Sequence, residues 1–150
     1  MSYGPPELQD HGVAETAPVA RIRLSVPNSG NSLGVVRAVM RHVGARTALL
    51  VPDLEDLCIA ANEACILVMG GASEQSTVDC RFDELSDGIA MEIRATTDAA
   101  RWVLSQTGSD AFVWALLGAL VDTLSWQADA TYISIQLTKH APSSPGGDSF

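Results

Sequence analysis

Basic residues are scarce in this chain. Its 150 residues hold 9 Lys and Arg against 18 Asp and Glu, a formal net charge of −9. A free-standing nucleic-acid binder needs the opposite sign, because phosphate neutralisation supplies most of that affinity, so direct nucleic-acid binding is not expected. Charged residues are only 18% in all, while hydrophobic residues reach 47%, which excludes a wholly disordered chain. Cysteine occurs three times, an odd number without framework spacing, and predicts reduced thiols in a cytoplasmic protein. No apolar run is long enough to span a bilayer: the longest uncharged one is Ala111 to Val121. The N-terminal MSYGPPELQD is polar and has no apolar core of a secretory signal.

Chemical motifs are also sparse. His11, His42 and His140 are scattered, and no zinc-ligand spacing occurs. Gly70-Gly71-Ala72-Ser73 lacks the Gly-Lys-Ser/Thr of a phosphate-binding loop and reads as a helix end. There is no Gly-x-Ser-x-Gly elbow. Cys58 and Cys65, on an apolar helix face, read as core, which argues against redox control through them or Cys80. Trp102, Trp114 and Trp126 also read as core.

What is present is periodicity. Residues 1–19, rich in Pro, Gly and acid, read as a flexible arm, and 141–150 (APSSPGGDSF) as a flexible tail, leaving 20–140 as one domain. Ala20 to Val26 alternates as a half-buried strand. Leu33, Val36, Met40 and Val43 follow helical spacing, with Asn31 or Ser32 as cap and Gly44 as the end. A second helix is expected from about Asp53 to Gly70-Gly71, with Leu54, Leu57, Cys58, Ala61, Ala64, Cys65 and Val68 on one face. Thr77–Phe82 and Ile89–Ala95 alternate with period two, and Asp87-Gly88 between them signals a hairpin. Asp110 opens a helix through about Leu124, apolar on nearly every side and therefore expected to be buried, Phe112 and Leu116 included. Tyr132 to Thr138 alternates as a last strand. The order predicts an α+β, two-layer α/β sandwich: a mixed, mostly antiparallel sheet covered on one face by about three helices.

The stretch Leu57-Cys58-Ile59-Ala60-Ala61-Asn62-Glu63-Ala64-Cys65 resembles the second helix of the bacterial anti-sigma-factor serine kinases, the RsbW/SpoIIAB-type branch of the GHKL (Bergerat-fold) ATPases. That helix reads roughly aliphatic-Ala-x-x-Glu-Ala-x-x-Asn. The likeness covers about residues 20–140, including a Val36-Arg37 pair on the early helix and a Leu-rich helix before a Thr-rich last strand. It implies the Bergerat ATP-binding fold and, in active members, phosphorylation of a serine with Mg-ATP as cofactor. The helix Glu, here Glu63, would be general base. The Asn four residues on would help hold magnesium. An Asp-x-Gly-x-Gly at a strand end would contact adenine, and a Gly-rich lid would cover the phosphates.

The sequence departs at most of these points. Leu67 stands where the Asn belongs and offers no oxygen to magnesium, so no metal site is expected. The glycine-rich strand end reads Thr97-Asp98-Ala99-Ala100-Arg101, in which Asp98 reaches the acid position only by a one-residue slip. The lid reads Ser105-Gln106-Thr107-Gly108-Ser109-Asp110, with one glycine and no lysine. These departures predict that no cofactor is held and that ATP turnover is weak or absent. Glu63 then reads either as a solvated acid or as a vestigial base.

Arg37 and Arg41, four apart on the early helix, are solvated or contact a partner; the resemblance favours partner contact through that helix. The first expectation is a cytoplasmic anti-sigma-factor-like protein, likewise implied to be a homodimer. It would sequester a sigma factor and be released by an anti-anti-sigma (STAS-domain) antagonist. The second is an active serine kinase acting on that antagonist through Glu63. The third is another regulator on the same fold.

Overall fold

The computed structural model describes residues 18–97 and 110–142. Most of the two terminal segments expected to be flexible lies outside these residues, as do Asp98, Trp102 and the lid sequence up to Ser109. The chain forms an α+β sandwich of a five-stranded sheet and, among the described residues, three helices.

Strand β1 is Ala20–Pro27, followed by helices α1 (Ser32–Gly44) and α2 (Val51–Gly71). Strands β2 (Thr77–Leu85) and β3 (Gly88–Thr96) come next, then helix α3 (Asp110–Leu120) and strands β4 (Thr123–Ala128) and β5 (Tyr132–His140). The sheet order is β1-β2-β3-β5-β4. All four pairings are antiparallel, a simpler sheet than the mixed one expected.

Alternation decides the two faces of the sheet. Val26, Val78, Cys80, Phe82, Ile89, Met91, Ile93, Ala95, Ile133, Ile135 and Leu137 point to the helix layer and are buried. Helix α2 packs against both α1 and α3 and on β3 and β5, so it occupies the middle of that layer. Its inward face buries Leu57, Ala60, Ala61, Ala64, Cys65 and Val68; the small residues let the helix lie close to the sheet.

Several local expectations are corrected. Neither Asn31 nor Ser32 caps α1 with its side chain: Asn31 is itself helical (φ −64°, ψ −21°), and the Ser32 hydroxyl donates to the Pro27 carbonyl at 2.8 Å. Helix α2 starts at Val51, before Asp53, because Pro52 fits a first helical turn where no amide partner is needed. The β2–β3 loop is Ser86-Asp87, and Gly88 is already in β3, opposite Leu85. Helix α3 ends at Leu120, and β4 takes up residues read as helix. Leu124, Trp126 and Ala128 face the helices there, while Thr123, Ser125 and Gln127 face away, a period-two pattern hidden beneath the long apolar run. Nor is α3 buried all round. Trp114 and Leu117 are buried, Leu116 is half-buried and Phe112 is 70% exposed, because α3 covers the sheet with one side only. Trp114 meets Trp126 of β4 at 6.0 Å between ring centres.

All three cysteines are free and buried. The Cys65 thiol is held well above the usual thiol pKa, first by its hydrogen bond with Cys80 and then by burial. Burial likewise raises Cys58, against the lowering pull of Arg41. A folded pKa above the unfolded one gives stability that is fully present below the unfolded value and is lost as pH rises past it. Melting temperature is therefore expected to hold to about pH 8 and to fall above about pH 8.5, where unfolded thiols ionise. A pH series of thermal melts checks this, and Cys65→Ala should show a shallower fall.

Candidate functional site

Of the residues singled out by sequence, Arg37, Arg41 and Glu63 lie on the outer surface of α1 and on one shoulder of α2. The 3.6-residue period places Glu55, Ile59, Ile66 and Gly70 along the outward ridge of α2. Asn62 lies on the α1 side of that ridge and Glu63 on its other side, both half-buried. Glu63 makes no side-chain hydrogen bond or ion pair that ties it down among the described residues, so it is a carboxylate open to solvent on one side.

Leu67, four residues on from Glu63, is only 7% exposed and belongs to the core. One helical turn from Glu63 it is rotated about 40° further around the axis, toward Ala60 and Gly71, which are also buried. That rotation carries it under the helix layer. A magnesium ion demands oxygen ligands, and the Leu67 side chain offers only carbon.

The end of β3 is closed in a related way. Thr97 is buried, and its hydroxyl donates to the carbonyl of Gly71 at the end of α2. The Ser73 amide donates to the Thr96 carbonyl at 3.0 Å, and Ala72 bridges to Thr97. Asn28 Nδ2 adds bonds to the carbonyls of Met69 (3.3 Å) and Ser73 (3.2 Å). The strand end where the acid of Asp-x-Gly-x-Gly would begin is thus tied to the α2 terminus by a threonine with no carboxylate. Leu67 and Thr97 together do not fit a magnesium–nucleotide site. Asp98 lies outside the described residues.

The two arginines are found where the helical spacing placed them, exposed on α1 and reaching across to α2. Arg41 Nη1 donates to Glu55 Oε2 at 2.9 Å, which raises the guanidinium pKa further. Both side chains are about half exposed (51% and 49%), so solvent screens the pair and it adds little stability. Arg37 Nη1 donates to Asn62 Oδ1 at 3.0 Å. That partner is neutral, so the Arg37 charge is held in place without being cancelled.

Comparison with known protein families finds no match, and comparison with curated proteins finds none either. The surface must be judged on its own chemistry.

The open face of the sheet was not singled out by sequence, and it carries a polar lattice across all five strands. Ser125 on β4 donates to Gln136 Oε1 (2.9 Å), Gln136 donates to Glu92 Oε2 (3.1 Å), and Arg81 donates to Glu92 Oε1 (2.8 Å). Arg81 also reaches Asp83 (3.3 Å), which receives Arg21 on both oxygens at 2.7 and 3.0 Å. Asp83 is buried beneath these arginines. Nearby, Arg94 stacks 3.9 Å over the Tyr132 ring, beside an open depression of about 240 Å³ lined by Thr77, Asp79, Thr96 and Thr131. Opposite charges meet within this lattice, so it satisfies itself and leaves the face wettable without a second covering layer. Period-two alternation was the signal for it: every member occupies an outward position of its strand.

Proposed function

We propose that this chain is an anti-sigma-type regulator on a Bergerat-like scaffold. It sequesters a sigma factor by protein–protein contact in the cytoplasm and is released by an anti-anti-sigma (STAS-domain) antagonist. The observation that carries this reading is the burial of Leu67 at 7% exposure, where a kinase of this kind would need a metal-holding oxygen. Binding needs only surface, and the α1–α2 face keeps Arg37 and Arg41 fixed by α2 partners and open to solvent. Among the described residues no helix is long and apolar enough to cross a membrane, which is compatible with this location. The net charge of −9 suits a partner whose DNA-facing surface is basic, and binding should weaken with salt.

The test is a pull-down of the tagged chain from its native lysate, with and without Mg-ATP. Recovery of a sigma factor or a STAS-domain protein, unaffected by ATP, is expected. Recovery of neither removes the reading.

A second reading, an active serine kinase, draws on Glu63, which stays half-open to solvent in position to take a proton. Incubation with labelled Mg-ATP and candidate antagonists separates the two. A phosphoserine product that Glu63→Ala abolishes would establish the kinase; none is expected.

A further inference from the structure

We infer that the outward ridge of α2 is the docking seam of this regulator, and that it receives one amphipathic helix of the sigma partner. This inference rests on the reading above. Ile59 and Ile66 are 48% and 45% exposed, large aliphatic side chains facing water on the middle helix of the layer. They are seven residues apart on one stripe, about 10 Å along the axis, which is the repeat that an apolar seam on a second helix presents.

The charges beside them define the occupant. On the α1 shoulder Arg37 is exposed and, among the described residues, bonded to the neutral amide of Asn62 and to no carboxylate. On the other shoulder stands Glu63, with no cation bound to it among the described residues. Arg41 and Glu55 cancel each other further up. The seam is therefore apolar along its crest, positive on one flank and negative on the other. A helix with two apolar residues at heptad spacing, an acid on the Arg37 side and a base on the Glu63 side complements it. In this arrangement Glu63 is a partner contact and not a base. Helix α2 is also held rigidly, packed on the sheet and tied at its end through Gly71 and Thr97, so docking needs little reordering.

The experiment measures the dissociation constant of the purified full chain for the sigma factor recovered in the pull-down. It is compared with Ile59→Gln/Ile66→Gln, Arg37→Ala, Glu63→Gln and, on the opposite face of the molecule, Arg23→Ala. Glutamine suits an exposed helix position, and thermal melts of each variant verify folding. The double variant is expected to weaken binding by about 30-fold or more, Arg37→Ala and Glu63→Gln by roughly tenfold or less each, and Arg23→Ala by under about threefold. Sigma binding left intact by the double variant overturns the seam while the anti-sigma reading stands. No sigma binding by the unaltered chain overturns both. Self-association that the double variant abolishes, with sigma binding unchanged, makes a second copy the occupant and also overturns the seam.

Discussion

Leu67→Asn is expected to destabilise the protein by about 3–5 kcal/mol and to restore no ATP turnover. The substitution would recreate the Glu-x-x-x-Asn pattern of an active kinase on paper. In the fold, however, position 67 faces the helix-layer core beside Ala60 and Gly71. Removing a buried leucine costs about 2–5 kcal/mol, and a buried amide without partners adds about 1–3 kcal/mol, partly offset because asparagine leaves a smaller cavity than alanine. For a domain of this size that is a fall in melting temperature on the order of 10 °C. Denaturant unfolding gives the first quantity and a phosphate-release assay the second. A stable Leu67→Asn protein that gains ATPase activity would show that the nucleotide site lacks one residue only, and that position 67 is not closed to it.

Gly88→Ala is expected to cost about 3 kcal/mol, although glycine is here no hairpin-turn residue. Gly88 opens β3, and a Cβ there would lie 2.1 Å from the Lys139 carbonyl oxygen and 2.8 Å from the His140 Cα. Both atoms are backbone of the neighbouring strand β5, in the register that pairs Gly88 with His140. No side-chain rotation relieves such a clash, so the strands must part at that end. Gly44→Ala is the informative control. Its Cβ would meet Leu54 Cδ1 at 2.2 Å, but that is the end of a flexible side chain, and a smaller loss is expected. Equal losses in denaturant melts would contradict this ranking.

Gly88 shows what the sequence makes legible and what it does not. The Asp87-Gly88 pair marked a hairpin correctly, because local turn chemistry is written in neighbouring residues. The reason for the glycine was hidden, since it lies in a strand about fifty residues away. Strands β1, β2, β3 and β5 and helices α1 and α2 followed from period alone, as one side of each meets the core. Strand β4 was lost because Val121 and Leu124 extend the apolar run of α3, and only the opposed faces of Ser125 and Trp126 betray a strand.

At the candidate site the same division holds. Helical spacing placed Glu63, Arg37 and Arg41 on the outer surface, where side-chain direction decides exposure. Their partners did not follow from it. Asn62, next to Glu63 on α2, is what fixes Arg37. The burial of Leu67 is not legible in spacing, because a turn of about 40° separates a shoulder from the core and only the neighbouring elements decide which side of that line is buried. The polar lattice from Ser125 to Arg21 needed strand order, which brings β5 between β3 and β4.

If this chain acts by holding a protein partner and not by transferring phosphate, nucleotide should leave its binding untouched. The decisive measurement is the dissociation constant for the recovered sigma factor, with and without saturating Mg-ATP. The same tight constant is expected in both, weakening only as salt is raised. A constant that depends on Mg-ATP would mean that a working nucleotide site controls the interaction, which a buried Leu67 in place of a metal-holding asparagine would not supply.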